Sequence, residues 1–441
     1  MEVEALREKI RAAGVIGAGG AGFPTHMKLA PNINTVLINA SECEPLLYTD
    51  YTILKEHIDL VVSGAEEVAK ALGAGQVLLC MKKHTASRLH ISDGQGFGDF
   101  TQVKQLPDVY PMGDEVIMIY QALGRVVPPG QLPAKVGVVV INAETAYNIA
   151  HAVQDIPVTE KWVTIAGDIP APKVVTVLVN SNVRDVLQAA GVAVPPSHVV
   201  LDGGPAMGNI IDPGTAKITK KTKSLLILPD DIPAVTFKTV RTERVLVRTP
   251  SACCQCFSCT EMCPRHLLGY PLQPHKTLRY MGMTEEAGLG DFSTASLCSG
   301  CGVCTLMACC QGIAPSISMT EMKKKVGKAR LGYRSETPTV PSPERENRMI
   351  PIERFMSRIG VLRFNRVPVW AGALPVAQRS YDLLLSQHVG KPSVPLVQAG
   401  DLVTAGQMVA KADDGISASL HTPVSGRVTA VTEKAITVEK G

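Results

Sequence analysis

"CCQCFSCTEMCP" at 253–264 and "CSGCGVCTLMACC" at 298–310 decide what kind of chain this is. In the first stretch Cys253, Cys256, Cys259 and Cys263 keep the spacing C-x2-C-x2-C-x3-C and run into Pro264, the pattern that binds a [4Fe–4S] cluster in bacterial ferredoxins. Short gaps let three thiolates converge on one cube, while the fourth cysteine leads away and serves the other cluster of a pair. In the second stretch Cys298, Cys301 and Cys304 repeat the gaps, but Ala308 stands where the fourth cysteine is due, and Cys309 and Cys310 follow. A ligand that serves the opposite cube need not keep the local geometry of its neighbours. Cys309, one residue beyond the usual spacing, is therefore expected to cap the cluster of Cys253, Cys256 and Cys259. Cys263 is expected to cap that of Cys298, Cys301 and Cys304, and Cys310 competes with Cys309. Zinc knuckles offer two ligands per C-x2-C arm, so three cysteines in a row, twice over, are too many for zinc. Cys80, Cys254 and the unused member of the 309/310 pair read as buried structural thiols.

Composition agrees with a metal-bearing intracellular protein. Ten of the twelve cysteines fall between 253 and 310, whereas a disulfide scaffold scatters them through a short secreted chain. The net charge of +4 over 441 residues is small, and Lys323–Lys325 reads as a solvated helix face, so no nucleic-acid partner is expected. The longest apolar runs, such as "VGVVVI" at 136–141, are strand-sized, and no membrane span is expected. The opening "MEVEALREKI" has no signal-peptide core.

Periodicity divides the chain. A short amphipathic helix over 2–13, with Val3, Leu6, Ile10 and Ala13 on one side, leads into the glycine-rich "GVIGAGGAGFPTHMKL". Strands at 35–40, 76–81 and 135–143 then alternate with helices at 53–72 and 114–123, which predicts an α/β domain over 1–158. A β-rich unit follows over 159–245 and the helical cysteine segment over 246–332. Residues 333–365 begin with Pro-, Ser- and charge-rich sequence typical of a linker or draped arm. Short strands between regular turns predict a compact β domain over 366–441.

The loop containing Gly17, Gly19, Gly20 and Gly22 is by itself a tight helix-to-strand turn or a phosphate cradle. With "INASECEPLL" (38–47), "YPMGDEVIMIY" (110–120), "VINAETAY" (140–147) and the cassettes, the chain resembles a known family. It is similar to the flavin-bearing, NADH-oxidising subunit of respiratory complex I and to RnfC subunits of ion-translocating ferredoxin:NAD oxidoreductases. The resemblance implies FMN on the glycine loop, with Asn39, Glu42, Asn142, Glu144 and Thr145 as further flavin contacts. Phe23 and Glu115 match positions facing the nicotinamide nucleotide. Ala18 stands where complex I carries arginine, and Asp114 replaces the first glutamate of its Gly-Glu-Glu. The fold implied is α/β multidomain: a flavin-binding α/β domain, a soluble-ligand-binding β-grasp domain, a helical two-[4Fe–4S] ferredoxin-like segment and a C-terminal barrel-sandwich hybrid. The turn "DGGPAMGNIIDPG" (202–214) reads as structural. The barrel's hairpin tip near Gly415 carries no lipoyl lysine, Lys411 lying off it, and Asp413 and His421 read as surface turn residues.

Placement of the barrel after the cassettes favours the PduS-type cobalamin reductases within this family. For such a member the expected reaction takes a hydride from NADH and delivers single electrons through the clusters to a corrinoid, because flavins divide a two-electron transfer. No acid–base pair or nucleophile is required. A corrinoid adenosyltransferase and microcompartment shell proteins are the implied partners, and the implied location is the cytoplasm, inside a bacterial microcompartment. The competing readings are an RnfC-like electron-input subunit of a membrane complex and a non-enzymatic cluster relay with an empty glycine loop.

Overall fold

The computed structural model describes residues 1–281 and 288–441. Strands β1 (Thr35–Ala40), β2 (Gln76–Lys82), β3 (Gly96–Phe97), β4 (Thr101–Leu106), β5 (Val109–Tyr110) and β6 (Val138–Asn142) belong to the first 150 residues. Five of them form one sheet in the order β3-β4-β2-β1-β6, parallel except at the β3 edge. "TVLINA" and "VVVIN" are almost continuously apolar because both faces of a parallel sheet are covered.

One face carries α1 (Val3–Ala12), α2 (Thr49–Leu72) and α5 (Ala143–Val153). Leu6 and Ile10 of α1 are fully buried in this core, so the helix's apolar stripe is used within the chain itself. Gly64 allows α2 to touch α5, since a Cβ there would lie 1.9 Å from the Ala146 carbonyl oxygen. The short α3 (Lys83–Leu89) follows β2, and α4 (Glu115–Leu123) lies on the other face. That second face is completed by the cysteine segment: Cys263, Leu268, Met319 and Met322 join one apolar cluster with Leu37, Leu78 and Val140 of the sheet. The cysteine segment is thus a layer of the flavin-type domain rather than an appendage.

The next unit holds β7 (Glu160–Gly167), β8 (Lys173–Leu178), α6 (Val183–Ala189), β9 (His198–Asp202), β10 (Asn209–Ile211) and β11 (Ser224–Pro229). Antiparallel β7 and β8 form a hairpin, α6 packs over it, and β11 lies parallel to β7, a β-grasp arrangement. Two differences from the expected boundaries appear. Strand β12 (Ile350–Pro351) pairs with β5, and Phe355 beyond it stacks on Tyr110 at 4.1 Å. With Met356, Ile359 and Val361 also buried, residues 350–361 are packed core and not linker. Strand β13 (Val369–Ala373) lies parallel to β8 as the edge of the β-grasp sheet, although the sequence puts it in the last domain. The remaining strands, from Ser380 to Lys440, form two small sheets around Tyr381, Val409, Val428 and Val438. No helix among the described residues is long and apolar enough to cross a membrane.

Candidate functional site

Open parallel sheets bind ligands beyond the carboxyl ends of their strands. Asn39 and Asn142 end β1 and β6 there, under the glycine loop. The loop doubles back on itself: the Gly17 N–H donates to the Phe23 carbonyl (2.8 Å) and the Gly22 N–H to the Gly17 carbonyl (3.1 Å). Gly22 has φ +66°, and a side chain there would also strike Lys221. The Ala18 N–H donates to Thr145 Oγ1 (2.9 Å), which ties the loop to the first turn of α5.

Below the loop is a cleft of about 480 Å³. Of the residues expected to touch flavin, Gly17, Gly19, Asn39, Glu42, Asn142 and Thr145 line it, as do Phe23 and Glu115. Gly20, Gly22 and Glu144 lie outside its wall. Thr25 is in the wall with a buried hydroxyl that has no hydrogen-bond partner among the described residues. An unpartnered donor–acceptor beside a glycine-lined cleft is what a polar cofactor would satisfy, so the residues fit FMN.

Polar groups around the cleft hold one another in place. Asn142 caps α5 by accepting from the Glu144 N–H (3.1 Å) and donates through Nδ2 to Asp50 (2.8 Å). Asp50 pairs with Lys223 (2.5 Å), Lys223 with Glu144 (3.2 Å), and Glu144 with Lys161, all buried. Burial lowers the Lys161 pKa. Burial also opposes charge on Lys223, but the Asp50 and Glu144 carboxylates outweigh it and hold that ammonium well above its ordinary range. Glu42 accepts from the backbone N–H groups of Thr49, Asp50 and Tyr51, capping α2. Burial, then the nearby Asp50 charge, pushes its carboxyl up to about 7. Glu115 pairs with Lys28 (3.4 Å), and Asp114 caps α4 while gripping Arg265 through both oxygens (3.0 and 3.3 Å).

Around the cassettes, electrostatic neighbours sort the cysteines. Burial, then the charges of Cys309, Cys256 and Cys253, pushes the Cys259 thiol up to about 12. Burial, then the charges of Cys263 and Cys298, raises Cys301, and burial, then the charges of Cys298, Cys301 and Cys263, raises Cys304. Cys259 thus has Cys309 of the other cassette among its neighbours, and Cys301 and Cys304 have Cys263. The two cassettes adjoin where Cys259, Cys304 and Ala308 pack together. The extra residue before Cys309 is absorbed by a single π-helical turn, Cys304–Ala308, closed by a bond from the Cys309 N–H to the Cys304 carbonyl (3.1 Å). Cys298 and Cys301 also line the glycine-loop cleft.

Several side chains differ from expectation. Cys254 and Cys310 are exposed, not buried, and with Cys256 their sulfurs all lie within 4.8 Å of one another. Lys323 is exposed, as a solvated helix face would be, yet its ammonium donates to the Cys298 carbonyl (2.6 Å) and it stands in the cleft wall. His421 is a buried strand residue, 6% exposed. The 202–214 turn, read as structural, does pack within the chain: the Ala206 and Met207 N–H groups donate to Glu44 (2.9 and 3.2 Å), and a Cβ at Gly204 would lie 1.9 Å from Glu44 Oε2. The Tyr110 hydroxyl donates to the Cys301 carbonyl (2.7 Å) and lies 3.0 Å from Glu44 Oε1, the alternative acceptor for its one proton. Periodicity offers no means of finding Thr25 and Lys28, on the short 3-10 turn Thr25–Lys28, or Lys223 and Arg265, which reach the site from loops.

Comparison with known proteins assigns residues 10–151 to the Nuo51 FMN-binding domain, 252–314 to a 4Fe-4S dicluster domain and 373–441 to the RnfC barrel sandwich hybrid domain. The chain is 36% identical to the cobalamin reductase PduS of Citrobacter freundii over 100% of its own length and 97% of that protein. It is 37% identical to PduS of Salmonella typhimurium, covering 100% and 98%. One subunit of the proton-translocating ferredoxin:NAD(+) oxidoreductase complex of Clostridium ljungdahlii is 32% identical over 60% of this chain and 57% of that one. FMN and two iron–sulfur clusters are thus the cofactors of this mixed α/β multidomain oxidoreductase. Matched from end to end at more than a third identity, the chain belongs to the PduS cobalamin reductase family.

Proposed function

We propose that this chain is an NADH-dependent cobalamin reductase that takes electrons in at the glycine-loop cleft and releases them from the cluster of the first cassette. The observation that carries the reading is the shared wall: Cys298 and Cys301 line the same cleft as Gly17, Gly19 and Phe23. Bound FMN supplies the conversion of a two-electron hydride transfer into single-electron steps. Gly17 and Gly19 would let backbone approach its phosphate, Gly20 and Gly22 shaping the loop behind them, with Asn39, Glu42, Asn142 and Thr145 beneath. Glu144 acts through Lys223, holding that cation at the cleft. Phe23 and Glu115 flank the nicotinamide position, where Lys28 and the Arg265–Asp114 pair fix the local charge. Cys298, Cys301, Cys304 and Cys263 hold the near cluster, and Cys253, Cys256, Cys259 and Cys309 the far one.

A corrinoid acceptor follows from the relatives' names, and with it propanediol utilisation, a corrinoid adenosyltransferase as consumer and a bacterial microcompartment as location. The deciding experiment is anaerobic reduction of cob(III)alamin by the isolated protein with NADH, followed by absorbance. Turnover by the single chain is expected. Activity obtained only with added membrane subunits would overturn it in favour of an RnfC-like role.

A further inference from the structure

Ten clustered cysteines supply eight cluster ligands and leave Cys254 and Cys310 over. They come from opposite cassettes, and each is peptide-bonded to a proposed ligand of the far cluster, Cys253 or Cys309. Both are exposed, and their sulfurs are in contact at 3.8 Å. The two loops that present them are fixed by other bonds. Arg279 donates to Gln255 (2.8 Å), and the Ile313 N–H donates to Cys309 Sγ (3.4 Å). Gln255 and Phe257 take left-handed backbone (φ +55° and +60°), an uncommon conformation for side chains of that size. The sulfurs need only close from contact to a bond of about 2.05 Å.

We propose that Cys254 and Cys310 are a redox-active dithiol that closes to a reversible disulfide across the two cassettes, beside the far cluster. The oxidant is a low-molecular-weight disulfide. One cysteine thiolate attacks it, forming a mixed disulfide and releasing one small thiol; the second cysteine then displaces the other small thiol from the first sulfur. Two protein thiols are oxidised, one small disulfide is reduced, and the two protons leave with the two small thiols. Closure staples the loops carrying Cys253 and Cys309, so those ligands cannot separate while the bond lasts.

The inference rests on the assignment of Cys309, not Cys310, to the cluster, and the experiment separates the two. Holoprotein with both clusters is treated with oxidised glutathione without oxygen, alkylated, digested and mapped by mass spectrometry. The expected result is one peptide pair joined through Cys254 and Cys310, loss of two alkylatable thiols per chain, unchanged iron, and return of both thiols with dithiothreitol. Cys310→Ser should stop at a glutathione adduct on Cys254 with iron retained. A bond to Cys256, a bond between two chains, or no reaction at either thiol overturns the proposal. Iron loss in Cys310→Ser overturns the ligand assignment beneath it. Should that variant fold poorly, the map of the unsubstituted holoprotein decides alone.

Discussion

Cys259 and Cys304 are buried alike, but around the first cassette Cys256 is exposed with Phe257 47% exposed beside it, whereas in the second Cys298 and Cys301 open into the flavin cleft. The same two-residue gaps therefore serve two environments. Spacing fixes that a cube can be held, and the surrounding packing fixes what the cube can exchange electrons with. On the proposed route the cluster beside the cleft receives electrons and the one nearer the surface delivers them.

The largest effects should come from removing one cluster at a time. In Cys304→Ser, NADH should still bleach the flavin, but neither the damaged cluster nor the intact far one should become reduced, and cobalamin reduction should be abolished. In Cys259→Ser, the near cluster should still give a reduced signal in anaerobic electron paramagnetic resonance while acceptor turnover is lost. Reduction of the far cluster by NADH in Cys304→Ser would reverse the assigned order.

A smaller effect should follow at the entry side. Lys223→Met leaves Asp50 and Glu144 as buried carboxylates short of their shared cation. Breaking such a network costs about 3–5 kcal/mol, read as a lowered denaturant midpoint with flavin lost first. Adding Asp50→Asn should restore part of it, and no loss of stability in the single variant would show the network to be decoration.

The smallest predicted effect concerns the last domain. Burial, then the Lys220 charge, lowers His421 to about 3 from an ordinary 6.5. Its neutral form is favoured by folding, so this contribution is complete above pH 6.5 and is lost as pH falls towards 3. At pH 5 the loss is about 2 kcal/mol. His26, lowered to about 4 by burial and by Arg11 and Arg7, adds in the same direction. Thermal melts of His421→Gln should therefore fall less between pH 6.5 and 5 than those of the unsubstituted chain; equal slopes would remove His421 from the account.

Most of the architecture is legible in the sequence because its signals are local. Apolar runs mark β1, β2 and β6, and the cassettes announce themselves by gap. What escapes is long-range. Nothing in "VWAGA" says that it completes a sheet begun at residue 160. Phe355 lies just past a Pro- and charge-rich arm, which hides its stacking on Tyr110. At the site, Asn39, Asn142 and Thr145 are found by motif, but the cations Lys223, Arg265 and Lys323 arrive from three other segments. Lys323 keeps the exposure that a run of lysines suggests, and what the run does not announce is its bond to the Cys298 carbonyl.

The placement of β13 has a consequence for how the chain is made. On the ribosome, β7 to β11 emerge first, then both cassettes, and only afterwards residues 369–373. Until then β8 is an open edge, able to pair with strands of other nascent chains. Both cassettes are therefore synthesised before the neighbouring sheet can close. A nascent chain that stalls before residue 369 would present cluster-ready cysteines beside an unpaired strand, a species for chaperones to hold rather than release.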